Sequence, residues 1–268
     1  MNLSNVQLHN SFQSKNVIKV ITGIHNTNIY QIAQIAKAAD LAKASYLDVI
    51  ANTKVVKFLK SFSSLPLCIS SIDPIDIYNC ISAGADLVEI GNYDTFYNKG
   101  VYITSFELVE LIKEVKYLVG DIDLCVTIPY YFDLNEQIRL AQLLECLGVN
   151  IVQTEGIFTH NIHSLPKQLS VLTNSLSSSL LSTYFISKSV NIPVITSSGI
   201  SSIFASTAIN CGASGIGIGS AIRGRHNIVS MTKYLNEVKH CMFTNRIDLY
   251  QVKDYISINN ISEQILSL

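Results

Sequence analysis

Eight times along this chain a short apolar run rich in β-branched residues gives way to a polar junction and then to a longer segment with apolar residues three and four apart. The short runs suit buried strands and the longer spacing suits helices, so the repeat predicts βαβ units and a parallel sheet. The runs are VIKVI (17–21), YLDVIA (46–51), PLCISSI (66–72), DLVEIG (86–91), DLCVTIP (123–129), NIVQTEG (150–156), PVITSSGI (193–200) and SGIGIGS (214–220). Between them the helical pattern is plain over 104–119, 133–147, 177–189 and 228–242, and in the face formed by Ile29, Ile32, Ala33, Ala36 and Ala39. Asn26, Thr27, Asn28, Asn52 and Thr53 are candidate caps, and Gly84 and Gly148 suit helix ends.

Eight such units in 268 residues match a (β/α)8 TIM barrel as a single domain, with 1–16 as a lead-in and 243–268 as a short C-terminal extension. A doubly wound open sheet would place its glycine fingerprint after the first strand, and here that turn, TGIHN, has one glycine while the clustered glycines fall last. The tail after Phe243 is left to cover the barrel bottom or to bind another chain.

A hydrophobic fraction of 48% against 15% charged residues excludes a disordered chain. The net charge of −1 gives no electrostatic footprint for nucleic acid, and no apolar run is long enough to span a bilayer. The first sixteen residues carry neither a secretory nor a transit-peptide pattern, so none is expected. The six cysteines stand singly without CxxC pairs, which argues against a zinc site and a disulfide framework and fits a reducing compartment.

In such barrels the working groups come from the carboxyl ends of the strands and the loops beyond them, and a phosphate commonly sits on the loops after strands seven and eight. SSGI and GIGIGSAI place Ser198, Gly199, Gly219 and Ser220 there, which predicts a phosphate-binding type of barrel and a phosphorylated small molecule as ligand. The competing reading of the glycines is a tight turn. Arg223 and Arg225 follow and could add charge to the anion, although arginines at this place are expected on the solvated surface.

Strands of a covered parallel sheet are normally apolar throughout, and Lys19, Asp48, Glu89, Gln153 and Glu155 break that rule. A buried carboxylate needs a partner or a shifted pKa, so Asp48 and Glu89 are candidates for acid–base work or, equally, for a structural pair with Lys19. Glu155 at the end of strand six, His25 in the first βα loop and Asp94 after strand four are placed for proton transfer. His160 and His163, with no further ligand at a recognisable spacing, predict no metal site. The serine-rich 175–182 lacks a Gly-x-Ser-x-Gly elbow and reads as a helix start with small-residue packing.

The combination KVITGIHN, YLDVIAN, LVEIGNYD, PVITSSGI and CGASGIGIGSAI, over nearly the whole chain, closely resembles the hypothetical chloroplast open reading frame twenty-three family of algal plastids and cyanobacteria. The resemblance implies an aldolase-type barrel, plastid-encoded and stromal, and supplies no reaction. Strands seven and eight also look like the wider set of phosphate-binding barrels, whose GGI and GSA-type loops hold a substrate phosphate or the phosphate of FMN. Ser198 stands where those enzymes often have glycine. A more distant likeness is to thiazole synthase and pyridoxal-phosphate synthase barrels, which form imines through lysine, but Lys19 lies short of the mouth. PLCISSIDP lacks the Asp-x-Lys arrangement of phosphate-sugar decarboxylases, and no strand-end histidine pair supports a metal-dependent epimerase. Three readings remain: a lyase or isomerase of a phosphorylated metabolite, an FMN-dependent oxidoreductase, and a non-catalytic regulatory or binding protein. Oligomeric state is unspecified.

Overall fold

A computed structural model describes residues 3–91, 93–97, 99–156 and 175–244. The eight predicted runs form eight parallel strands: β1 (Val17–Ile21), β2 (Tyr46–Ile50), β3 (Leu67–Ser71), β4 (Leu87–Ile90), β5 (Asp123–Ile128), β6 (Ile151–Thr154), β7 (Val194–Thr196) and β8 (Gly215–Ile218). Each pairs with the next, and β8 returns to β1 through Ile18↔Ile216 and Val20↔Ile218, so the sheet closes into a barrel in strand order. Closure removes both sheet edges and leaves the strands an inside and an outside.

The helices are α1 (Val6–Gln13), α2 (Ile29–Leu41), α3 (Thr53–Lys60), α4 (Pro74–Ser82), the one-turn α5 (Asp94–Tyr97), α6 (Ser105–Val119), α7 (Leu134–Cys146), α8 (Ser175–Ile186), α9 (Ala205–Asn210), the one-turn α10 (Ser220–Arg223) and α11 (Ile228–Thr244). Their starts follow local chemistry. Asn28, Asn52, Asp73 and Asp133 each accept an orphan amide from the first turn, and Thr104 and Glu107 make a reciprocal capping box. Of the candidate caps in the first loop, Asn28 is the one used, while Asn26 bridges the Thr22 carbonyl and the Asn28 amide.

Outward strand residues such as Val20, Leu47, Ile69, Val88, Val126, Val152 and Ile216 pack with the buried faces of the helices in one large apolar cluster. Removing each such side chain from water contributes about 1.5–3 kcal/mol. A second apolar cluster lies inside the barrel at its amino-terminal end: Val17, Tyr46, Cys68, Leu87, Cys125, Ile151 and Ile195, with Leu3, Leu8 and Phe12 of the N-terminal segment packed against them. Leu8 and Phe12 sit four apart, one above the other on α1, and plug the floor. Ser4 locks the plug by donating through its amide (2.8 Å) and hydroxyl (2.5 Å) to Asp123 at the start of β5. The lead-in over 1–16 thus contains the helix that fills the barrel bottom. The tail considered for that position lies, from 245 onward, outside the described residues.

Cys68, Cys80, Cys125 and Cys211 are buried free thiols inside strands and helix ends, as small apolar residues would be, whereas Cys146 is exposed. No described helix is long and apolar enough to cross a membrane.

Candidate functional site

Side chains alternate along a strand, so the residues two beyond the floor layer also point into the barrel. They are Lys19, Asp48, Ser70, Glu89, Thr127 and Gln153, all buried to within 5% of full burial. The Lys19 ammonium lies 3.0 Å from Asp48 Oδ2, donates to Gln153 Oε1 at 2.9 Å, and makes a closer contact with Glu89 Oε2. Its three hydrogens therefore have three acceptors. Gln153 Nε2 donates to Glu89 Oε1 (2.9 Å), as does Thr127 Oγ1 (3.1 Å), and the Ser70 hydroxyl donates to Asp48 Oδ1 (2.5 Å). Only this orientation of the Gln153 amide gives Lys19 an acceptor and Glu89 a donor together.

One ammonium against two carboxylates leaves the layer one negative charge in excess. Burial opposes the charge on Lys19, but Asp48 and then Glu89 outweigh it and raise the ammonium's pKa. Burial likewise raises Asp48, to about 6; Lys19 pulls the other way and the Glu89 charge adds to the rise. A lysine held protonated has no lone pair for imine formation. Burial thus moves Asp48 toward the range in which a carboxyl can exchange a proton near neutral pH.

Above this layer is the mouth. Glu155 follows β6 and is half-buried, with Oε1 accepting from the Tyr97 hydroxyl (2.6 Å) and the Tyr130 amide (3.0 Å). Burial, then the Glu155 charge, raises the Tyr97 phenol, so it stays a donor. Tyr97 also packs edge-on against Tyr130 and Tyr131 and stacks on Tyr102, which makes one wall of the mouth aromatic. At Gly91, just past β4, an added Cβ would lie 2.8 Å from Thr127 Oγ1 and 3.0 Å from Glu89 Oε1. The missing side chain lets the buried Glu89 and Thr127 side chains lie against the Gly91 backbone.

The loops after β7 and β8 form the other side. Ser198 has φ 66° and Gly199 φ 80°, so the serine holds a left-handed conformation that favours glycine. Ser197 anchors this loop, its amide (3.2 Å) and hydroxyl (3.1 Å) both donating to the Thr154 carbonyl. Behind it Thr154, Ser179, Thr183 and Thr196 form a buried hydroxyl network, with Thr154 and Thr183 2.7 Å apart and Ser179 donating to the Ser197 carbonyl at 2.8 Å. Ser179 and Thr183 of α8 are thus packed against the loop they support. Among the described residues the amides of Gly199, Ser220 and Ala221 donate to no backbone carbonyl.

The sequence-selected residues do not all meet. Asp48 and Glu89 share Lys19; Glu155 lies one layer higher; Ser198, Gly199, Gly219 and Ser220 lie on consecutive loops at the mouth. His25 sits in an exposed turn of the first βα loop and makes no described contact with either carboxylate of the layer. Asp94 opens α5, and His160 and His163 fall outside the described residues. Among the described residues no group of three His, Cys, Asp or Glu side chains could hold a metal ion.

The two arginines expected on the surface are both half-buried and engaged: Arg223 Nη1 donates to the Ile21 carbonyl at 3.3 Å, and Arg225 lies 3.9 Å over the Tyr234 ring. Their flat guanidiniums stack and fork where a lysine would only hydrate. Ser70, Thr127, Tyr97 and Gly91 were also missed. Serine and threonine are unremarkable in strands, although Thr127 lies two positions beyond Cys125, on the inward face.

Residues 3–248 match the family described as "Protein of unknown function (DUF561)". The chain belongs to this family. A relative named "Uncharacterized protein ycf23" from Antithamnion sp. is 45% identical over 98% of both chains, and one of the same name from Porphyra purpurea is 37% identical over 97% of both. These ycf23 relatives of algal plastids are the family whose motifs the sequence resembles, and they point to a plastid-encoded protein. Among solved structures, (S)-3-O-geranylgeranylglyceryl phosphate synthase from Thermoplasma acidophilum, in complex with its substrate sn-glycerol-1-phosphate, has a TM-score of 0.57 at 14% identity, covering 90% of this chain and 99% of that one. 3-Hexulose-6-phosphate synthase from Salmonella typhimurium has a TM-score of 0.58 at 14% identity, covering 84% and 98%. At these identities the likeness is one of fold, an aldolase-type TIM barrel.

Proposed function

We propose that this chain is a stromal enzyme, a lyase or isomerase that moves a proton on a small phosphorylated metabolite. The phosphate rests on the amides and hydroxyls of Ser198, Gly199, Gly219 and Ser220, and Asp48 is the proton-transfer group, with Glu89 beside it. The observation that carries this reading is the charged layer beneath the mouth, with its carboxylate raised to about 6. Burial raises the carboxylate of a structural pair as well, so the reading rests on its place: this one lies inside the barrel directly below the loops after β7 and β8, with a pKa that suits acid–base work near the operating pH.

The two sites are spaced for a short substrate. Two residues of strand separate the charged layer from the mouth, roughly 5–7 Å once strand tilt is included, or a few bonds from phosphorus to the reacting carbon. Glu155, held by Tyr97 and Tyr130, is the second carboxylate on that path. His25, on the first loop, is a proton carrier only if that exposed turn folds inward over the ligand. The saturated Lys19 supports proton transfer over imine chemistry. Fold neighbours that act on phosphorylated compounds support the substrate class.

Thermal unfolding with glycerol phosphates, triose phosphates and pentose phosphates, each beside its dephosphorylated parent and with FMN as a separate arm, tests the reading. A rise of about 3 °C or more at millimolar ligand, confined to the phosphorylated sugars and glycerols, is expected. No rise, or an equal rise with the parents, overturns it; a rise with FMN and a yellow protein turn it to flavin chemistry.

A further inference from the structure

We propose that Ser70 is the positioning residue of the proton-transfer group, its hydroxyl making Oδ1 the oxygen of Asp48 that takes and gives up the proton, an inference that rests on the reading of Asp48 above. β3 lies between the strands that carry Asp48 and Glu89, and Ser70, itself 3% exposed, is in register with Glu89. The two oxygens of Asp48 have different partners. Oδ2 faces the Lys19 ammonium at 3.0 Å, whereas Oδ1 accepts from the Ser70 hydroxyl at 2.5 Å, the one hydrogen bond made to it among the described residues.

These partners respond differently to a proton. An ammonium has donors and no acceptor, so a proton on Oδ2 would face another donor and forfeit that contact. Although burial opposes the charge, Asp48 and then Glu89 keep Lys19 protonated, and it offers no lone pair instead. A serine hydroxyl has one donor and two acceptor lone pairs and can rotate. It donates to the charged carboxylate, and once Oδ1 is protonated it turns and accepts from it, so Oδ1 is paired in both states. Donation to the charged form is the stronger bond, since charge-assisted hydrogen bonds are roughly twice as strong as neutral ones. Ser70 therefore limits the rise that burial imposes on Asp48. The other titratable groups around Asp48 are Lys19, Glu89, Cys68, Cys125 and Tyr46. Burial raises both thiols and the phenol, and Lys19 stays charged, so none of these four gives up a proton in the range where Asp48 titrates.

The experiment is a carbon-13 NMR titration of the side-chain carboxyl carbons in the aspartate-labelled full chain. It is run on wild type, Ser70→Ala, Ser70→Thr and Ser70→Cys, each first checked for cooperative thermal unfolding, with Asp48→Asn identifying the Asp48 signal. Reading the Asp48 carbon itself keeps Glu89 out of the result. Wild type is expected to titrate at about 6. Ser70→Ala should titrate about one pH unit higher, and Ser70→Thr within about 0.3 of wild type because the hydroxyl is restored. The same tenfold change in proton affinity makes the stability cost of Ser70→Ala larger above about pH 8 than below about pH 5 by about 1.4 kcal/mol, whereas a merely structural serine costs the same at both. An Asp48 carbon that titrates in Ser70→Ala as in wild type overturns the role of Ser70 and leaves the reading of Asp48 standing. If that variant does not fold, Ser70→Cys, whose thiol is a weak donor, is read in its place: a value about half a pH unit higher supports the role, and the wild-type value overturns it. A wild-type carbon that titrates at about 4, as in an unfolded chain, overturns both.

Discussion

The barrel interior changes character within two residues along six of its eight strands, β1 to β6. At the floor, Val17, Tyr46, Cys68, Leu87, Cys125 and Ile151 meet the plug of Leu8 and Phe12; one inward position higher, Lys19, Asp48, Ser70, Glu89, Thr127 and Gln153 form a hydrogen-bonded network. Both layers are buried and belong to the same strands, so burial alone does not distinguish stability from chemistry. The lower layer is closed by a helix of the chain itself, whereas the upper one faces loops with a left-handed serine and amides that donate to no described carbonyl. A barrel of this kind stores its cohesion at one end and its polar groups toward the other.

The largest expected effects break each layer in turn. Lys19→Met strands two buried carboxylates and is expected to cost about 3–5 kcal/mol in denaturant unfolding, and Phe12→Ala is expected to cost a similar about 3–5 kcal/mol by opening a cavity under the floor. The two differ in rescue. Adding Asp48→Asn and Glu89→Gln to Lys19→Met should recover part of the loss, because the buried charge is gone, and the same pair should do nothing for Phe12→Ala. Equal rescue would mean that the layers are not separate.

The next effect is in pH. Asp48 is raised in the folded chain to about 6, against about 3.9 in an unfolded one, so as pH falls the folded state takes up this proton first. Its contribution to stability is present in full below about pH 4 and is lost as pH rises through about 6. The stability of wild type relative to Asp48→Asn should therefore fall across pH 4–6, by roughly 2–3 kcal/mol. The floor adds no slope there, since burial drives the pKa values of Tyr46, Cys68 and Cys125 upward, away from that window. A pH-independent difference would remove Asp48 as the tuned group.

Smaller still is the effect of the cradle on folding. Ser198→Gly relieves a left-handed serine and should stabilise by about 1 kcal/mol while weakening the response to phosphorylated ligand. Ser198→Ala keeps the backbone strain and removes the hydroxyl, so it should weaken the ligand response alone. Thermal unfolding with and without ligand separates the two.

The difference between the layers also explains what the chain disclosed in advance. Periodicity reveals strands, and a lysine or carboxylate inside an apolar run is conspicuous, so the barrel and Lys19, Asp48, Glu89 and Gln153 were legible. Ser70 and Thr127 were not, because a strand tolerates either residue on either face, and their inward direction shows only once register is known. Tyr97 meets Glu155 across 58 positions with no local signal. Arg223 reaches the Ile21 carbonyl across 202 positions, a contact that exists because β8 closes on β1. The α1 plug has its apolar pair in plain sight at Leu8 and Phe12, but a floor to fill becomes evident only after closure.

The central claim is that anions bind at the loops after β7 and β8, above the charged layer and away from the floor. Amide nitrogen–proton NMR spectra during titration with glycerol phosphate read it residue by residue. Saturable shifts at Gly199, Gly219, Ser220 and Ala221, with Leu8, Phe12 and Cys68 unmoved, are the predicted result; unshifted mouth amides at millimolar ligand, or shifts centred on the floor, would contradict it.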